Sequence, residues 1–302
     1  VLAAYLTRLK YHPPVSSLTL YLASVLIWGS TWYAITLQLG PVSPAVSVTW
    51  RFLLASVLLF AWARARGMRL QFSPREHAWI ALQGLLLFCM NYIPTYLAEL
   101  TLASGLVAVV FSLLAVGNVI GMRVFFGQPV RASALLGGLF GITGVALLFW
   151  PDLRAFVGGN ASLVGLGLAL LGTASASLGN MAAAHNQRSG LPVIPVIAWA
   201  MLYGSICDAA WAALTGQAFV IGTTAPYLLS LLYLSVFGSV LAFAAYLTLM
   251  SRVGADRAGY ALVSVPVVAL AISSGLEGLH WTPLMWAGVA LVLVGNVLVL
   301  RH

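Results

Sequence analysis

Ten runs of apolar residues, each close to 20 long and almost free of charge, dominate this sequence of 302 residues. They cover Leu18–Leu37, Val46–Ala63, Ala78–Leu97, Leu102–Met122 and Ala132–Trp150, then Leu163–Asn186, Val193–Leu214, Pro226–Leu249, Ala258–Leu276 and Leu284–Leu300. A helix of about 20 apolar residues spans the hydrocarbon core of a bilayer. Backbone polar groups find no water there, so only helices and closed barrels cross it. Barrel strands alternate apolar and polar residues over about 10 positions. These runs are continuously apolar and about twice that length, which predicts an all-α polytopic membrane protein of ten transmembrane helices. Hydrophobic residues make up 62% and charged residues 7%, against about half and a quarter in soluble domains. The breaks carry turn chemistry, as at Gly40-Pro41, Pro44, Gly127-Gln128-Pro129, Gly158-Gly159-Asn160, Gly190-Leu191-Pro192 and Gly222 to Pro226. The longest polar stretch, Arg64 to His77, is too short for a soluble domain. Cys89 and Cys207 sit inside apolar runs, where a thiol serves as a small hydrophobe.

The pattern is written twice. An offset of 149 places Gln38 on Gln187, Trp50 on Trp199, Leu53 on Leu202, Ser56 on Ser205 and Ala61-Trp62-Ala63 on Ala210-Trp211-Ala212. An offset of 150 places Tyr96 on Tyr246, Ala108 on Ala258 and Gly138 on Gly288. Two repeats are expected, 18–150 and 163–301, each with five spans. Five is odd, so the copies must lie in opposite orientations. Inverted repeats are characteristic of secondary transporters, whose substrate sites lie near the midplane between the halves.

The basic residues set the orientation. One set of alternate loops collects Arg8, Lys10, Arg64, Arg66, Arg69, Arg75, Arg123, Arg131, Arg188, Arg252, Arg257 and Arg301, and the other set has Arg154. By the positive-inside rule both termini are cytoplasmic. The stretch from Tyr5 to Pro14 then reads as a cytoplasmic lead-in rather than a cleaved signal. This bias accounts for most of the net charge of +8, so no nucleic-acid-binding patch is inferred. Glycines stripe the fifth run (Gly137, Gly138, Gly141, Gly144) and the sixth (Gly165, Gly167, Gly172, Gly179), and Gly254, Gly259, Gly275 and Gly278 bracket the ninth. Small residues of this kind let helices approach closely in lipid.

Trp28-Gly29-Ser30-Thr31-Trp32-Tyr33 in the first run, Pro41 and Pro44 after it, and Arg51-Phe52-Leu53-Leu54-Ala55 resemble the opening of an EamA domain. Each repeat ends in a polar turn and a Gly-rich last span, Gln128 to Trp150 and Glu277 to Leu300, which is similar too. The resemblance is to the drug/metabolite transporter superfamily and covers essentially the whole chain. It implies ten helices in two inverted five-helix repeats around a central cavity, both ends cytoplasmic, in a bacterial inner membrane. The ten-span exporters of amino acids and related metabolites are the natural comparison. There are departures. A Glu is common near the end of the fourth and ninth spans; Glu277 fits the ninth, but Gly127 stands at the matching first-half position. A Pro common in the fourth span is absent around Leu114–Val116, while the ninth has Pro266.

Charges at membrane depth are costly and tend to be functional or paired. Arg51 lies about 12 Å into the second span at ~1.5 Å per residue, and Asp208 lies at comparable depth in the seventh. They are candidates for a gate, or for a charge pair that holds a zwitterion; a snorkelling Arg and a backbone-bonded Asp are the plainer alternative. Glu99 reads as interfacial. The substrate-binding candidates are Trp28, Ser30, Asn91, Tyr92, Tyr96, Asn118, Trp199, Tyr203, Tyr246, Tyr260 and Ser264, with Asn180 and His185 as further polar groups in the sixth span. Tyr92 and Tyr96 are four apart, hence on one helix face. Aromatic groups with neutral donors suit an amphiphilic solute with a flat or apolar side chain. Pro94 and Pro266 free backbone carbonyls and are candidate hinges.

The function expected is an alternating-access inner-membrane carrier that exports small metabolites, amino acids including aromatic ones first. A permease or exporter for sugars, nucleosides or cationic drugs is the alternative. Asp208 and His185 are the titratable groups available for proton coupling, which favours a facilitative carrier or weak proton linkage. The chain has no H-E-x-x-H, no G-x-S-x-G and no paired Asp, so no enzyme is expected. The expected partners are the bilayer and a small-molecule substrate, for a monomer without cofactor, metal or nucleic acid.

Overall fold

The computed structural model describes residues 15–40, 42–150, 160–253 and 255–300. Arg8, Lys10, Pro41, Arg154, Gly158, Gly159, Gly254 and Arg301, used above, lie outside the described residues. The described residues form helices and turns, with no strand. In chain order the helices are α1 (Ser17–Thr36), α2 (Pro44–Ala65), α3 (Pro74–Ala98), α4 (Ser104–Phe126), α5 (Ala132–Leu148), α6 (Ala161–Arg188), α7 (Val193–Leu214), α8 (Ala225–Val253), α9 (Ala255–Leu276) and α10 (Pro283–Leu300). Nine of them, among the described residues, are long and apolar enough to cross a membrane. The exception is α5, a shorter apolar helix of 17 residues.

Local chemistry sets where helices begin. The Ser16 hydroxyl accepts the Thr19 N–H at 3.0 Å to open α1. Ser73 and Glu76 form a reciprocal capping box at α3, behind Pro74. The Asn160 side chain accepts the Ser162 N–H at 2.9 Å to open α6. Each cap satisfies an N–H that the first turn leaves without a partner. Pro44, Pro226 and Pro283 occupy first turns, where a missing N–H costs nothing.

Three helices are not the smooth rods that the apolar runs predict. In α3, a π-helical segment at Leu85–Cys89 and a turn at Met90–Asn91 separate Pro74–Gly84 from Tyr92–Ala98. In α8, a π segment at Tyr233–Leu241 occupies the corresponding place. In α4, a turn at Ser112–Leu113 interrupts the helix without a Pro. The Ser112 hydroxyl donates to the Val109 carbonyl at 2.6 Å, a back-bond that bends helices. The ninth helix is continuous although it contains Pro266.

The packing has a twofold pattern. Helices at matching places in the two halves of the chain pack on each other: α2 on α7, α4 on α9 and α5 on α10. The first helix of each half packs on the other half, α1 on α8 and α9, α6 on α3 and α4. The π segments belong to this exchange. A π turn shifts the hydrogen-bond register and exposes carbonyls. The Trp28 Nε1–H of α1 donates to the Gly238 carbonyl of α8 at 3.2 Å. The Ser175 hydroxyl of α6 donates to the Leu86 carbonyl of α3 at 2.8 Å.

The α5–α10 seam is set by glycine. A Cβ added at Gly144 would lie 2.5 Å from the Gly288 carbonyl oxygen, and one added at Gly288 would lie 2.6 Å from the Gly144 oxygen. The outward faces are apolar: Leu135, Leu139 and Ile142 of α5 are exposed, as are Leu229 and Leu232 of α8. A surface of this kind is matched by lipid tails rather than water.

Candidate functional site

A cavity of about 840 Å³ lies between the two halves, and all ten helices contribute to its wall. At one end it reaches Gln128, Arg131, Met250, Gly259 and Leu300, beside the Arg-rich connections. Its floor, away from that end, is lined by Ile35, Arg51 and Thr95.

Beyond that floor the halves are bonded to each other. The Tyr227 and Ser47 hydroxyls pair at 3.2 Å. The Trp50 Nε1–H donates to the Val220 carbonyl at 3.1 Å. The Ser235 hydroxyl donates to the Arg51 carbonyl at 3.1 Å. Glu277, past the end of α9, accepts the Ser104 N–H at 2.8 Å and also the Ser104 hydroxyl. An anionic acceptor at the start of α4 meets otherwise orphan N–H groups and the positive end of the helix dipole. The Ser273 hydroxyl adds a bond from the Gly105 N–H at 2.9 Å.

The floor is built around Arg51, 3% exposed. Its Nη1–H donates to the Tyr96 hydroxyl at 3.3 Å, and that hydroxyl donates to Gln38 Oε1 at 2.9 Å. The guanidinium lies 4.8 Å from the Tyr92 ring centre and 5.2 Å from that of Phe52. Cation–π attraction replaces part of its lost hydration. On the wall, Trp28 meets Phe243 edge-on at 5.3 Å and Tyr246 at 5.2 Å. Phe111 meets Trp32 at 5.3 Å. Neutral amides face the space between: Asn180 donates to Asn118 at 3.2 Å, and Asn186 donates to Gln83 at 2.8 Å.

Of the residues singled out in the sequence, Trp28, Arg51, Asn91, Tyr92, Asn118, Asn180, Tyr246 and Pro266 line the cavity. Ser30, Tyr96, Trp199, Tyr203, Tyr260, Ser264, Pro94 and Asp208 do not. Ser30 pairs with the Tyr233 hydroxyl at 2.7 Å. Tyr96 is fully buried behind Arg51. Trp199 donates to the Leu70 carbonyl at 3.0 Å and Tyr203 pairs with His77 Nδ1 at 2.9 Å, which ties α7 to the stretch before α3 and to the first turn of α3. Tyr260 and Ser264 both meet the Tyr21 hydroxyl at the α1–α9 contact. His185 stacks on Trp79 at 4.0 Å.

The structure does not join Arg51 to Asp208 in an ion pair. Asp208 is fully buried beside Cys89, away from the cavity. Glu99 is also not interfacial: it is 7% exposed, and both carboxylate oxygens are buried without a hydrogen-bond partner. The sequence reading missed Trp32, Gln83, Phe88, Phe111, Asn186, Phe243 and Asn296 as wall residues. Gln83, Asn186 and Asn296 carried a signal, since amides inside apolar runs demand partners.

The model of the EamA-like transporter family matches residues 15–150 and again 163–301. An inner membrane transporter of Escherichia coli K12, YedA, named as uncharacterized, is 30% identical over 283 residues, covering 92% of this chain and 88% of that protein. A transporter of Archaeoglobus fulgidus, also named as uncharacterized, is 24% identical, covering 92% and 96%. A solved crystal structure superposes with a TM-score of 0.66 at 18% identity, covering 93% of this chain and 95% of that one; at that identity the likeness is one of fold. Two family matches that together take in nearly every helix, and a relative at 30% identity over most of both chains, establish that this protein belongs to the EamA-like transporter family.

Proposed function

We propose that the chain is an alternating-access carrier of the bacterial inner membrane. It has ten spans in two inverted repeats and both termini in the cytoplasm, and it exports small metabolites. Amino acids, aromatic ones included, are the cargo that fits best, and among the ten-span amino-acid exporters the aromatic amino-acid exporter YddG is the proposed counterpart. The observation that carries this reading is a cavity reaching the basic end of the bundle while bonds between the halves close the other end. By the positive-inside rule the basic end is cytoplasmic, so this is the state that loads solute from inside.

Aromatic faces beside neutral amides supply stacking and a few fixed hydrogen bonds, which is the usual make-up of a small-molecule site. Cationic drugs fit less well. Arg51 and Arg131 line the cavity, and no Asp or Glu stands among the described lining residues. Pro266 on the wall and Pro94 beyond the α3 turn are the proposed hinges. The test is flux into proteoliposomes from a labelled panel of amino acids, sugars, nucleosides and organic cations. Accelerated flux of amino acids is expected. Flux of a sugar, nucleoside or cation with none of any amino acid would overturn the assignment.

A further inference from the structure

Arg51 holds a positive charge at 3% exposure and forms no ion pair among the described residues. A buried charge without a counter-ion is costly, and the cost falls when a partner arrives. The guanidinium has five N–H donors. One bond from Nη1 is made, to a phenol, and Nε has no partner. The nearby carboxylate is Glu99, one turn beyond Thr95, the last α3 residue to reach the cavity. Glu99 is not within ion-pair distance and does not line the space. So Arg51 presents an unmet cation at the closed end of a cavity whose described wall holds no acid.

We propose that Arg51 is the carboxylate-binding residue of the cavity. The carried solutes are organic acids with an aromatic or apolar body, and an ammonium group on them is dispensable. This rests on the carrier reading above and deepens it. The planar fork of a guanidinium matches the two oxygens of a carboxylate. The Tyr92 and Phe52 rings limit how the guanidinium can turn, so its remaining donors are directed. The solute's body then lies against Trp28 and Tyr246, which brace each other. An α-ammonium finds amide carbonyls and ring faces but no counter-charge on the described wall. Asp208, the sequence candidate for that role, is outside the cavity.

The experiment uses the purified full chain in detergent, with 3-phenylpropionate, 3-phenylpropionamide and phenethylamine as probes. Thermal stability reads binding without any need for transport. In proteoliposomes the same three compounds compete against labelled phenylalanine. The acid should stabilise the protein and compete at least about tenfold better than the amide or the amine, the scale of a lost charge-assisted bond. Arg51→Gln should remove that preference, and Arg51→Lys, which keeps the charge but not the fork, should restore part of it. Should Arg51→Gln fail to fold, the Arg51→Lys comparison and the probe ranking on the wild type still decide. An amide as effective as the acid, or an acid preference intact in Arg51→Gln, overturns the proposal. Acid-specific stabilisation with no phenylalanine flux would keep the carboxylate site and discard the amino-acid cargo. Phenylalanine flux without acid specificity would do the reverse.

Discussion

Gly144→Ala tests one of the close helix contacts of the α5–α10 seam. The added Cβ would stand 2.5 Å from the Gly288 oxygen, 2.7 Å from Val292 Cγ2 and 2.9 Å from the Val292 nitrogen. Two of these three atoms are backbone, so no rotamer change relieves them. Ordinary Cβ contacts begin at 3.4 Å, so α5 and α10 must part by roughly 1 Å. Overpacking of this kind costs about 1–3 kcal/mol. Ala returns up to about 1 kcal/mol in helix propensity, which leaves a net loss of about 0–2 kcal/mol, and a gap of about 1–3 kcal/mol from control sites that gain the same propensity. Gly288→Ala meets the Gly144 oxygen at 2.6 Å and should behave alike. Once one substitution has separated the helices the second meets less resistance, so the double variant should lose less than the sum of the singles. Gly167→Ala and Gly275→Ala, where an added Cβ has nothing within 4 Å, are the controls. Thermal unfolding in detergent reads all five variants. If Gly144→Ala is as stable as the two controls, the helices are not held at this separation and the seam argument fails.

Three further outcomes are expected. Glu277→Gln keeps an acceptor for Ser104 but loses the charge, worth about 1–2 kcal/mol; a cysteine placed at Thr95 should then react faster with an impermeant maleimide added from outside. No change in that rate would mean that Glu277 does not hold the closure proposed for the outer end. Trp28→Ala and Tyr92→Ala remove aromatic wall and should each weaken apparent solute affinity by roughly tenfold, as expected for a buried aromatic anchor, while gel filtration stays monodisperse; unchanged affinity would remove them from the site. Glu99 lies outside ion-pair distance of Arg51 and outside the cavity wall, so Glu99→Gln should leave the affinity for solute carboxylates within about twofold in a competition assay. A change of about tenfold or more in either direction would mean that Arg51 is not without a counter-charge.

The spans were legible in the sequence because lipid allows one solution for a long apolar run. Their interiors were less legible. The π segments in α3 and α8 carry no Pro or Gly pair to announce them; their freed carbonyls are met by Trp28 and Ser175 of the opposite half, a partnership invisible to local reading. Tyr92 and Tyr96 share a helix face by spacing, yet Tyr92 meets the cavity and Tyr96 lies behind Arg51. Helical spacing assigns a face, and the neighbouring helix decides what that face meets. Arg51 was legible from cost alone, as a charge at membrane depth. The same logic misplaced Asp208, since burial does not say which void a carboxylate borders. The absence of a Glu at Gly127 has a local cause: Gly127 closes α4 at φ 67, a left-handed conformation that glycine tolerates best. In the second half the left-handed glycine is Gly278, one residue later, which leaves Glu277 free to reach Ser104.

Counterflow tests the central claim most directly. Proteoliposomes preloaded with unlabelled phenylalanine are diluted into a trace of labelled phenylalanine. A cavity open to one side at a time must exchange solute for solute. Label should therefore accumulate transiently above its equilibrium level, and Arg51→Gln should abolish the overshoot. Label that equilibrates without overshoot, or that does not enter at all while the protein is folded, would contradict a carrier built around this cavity.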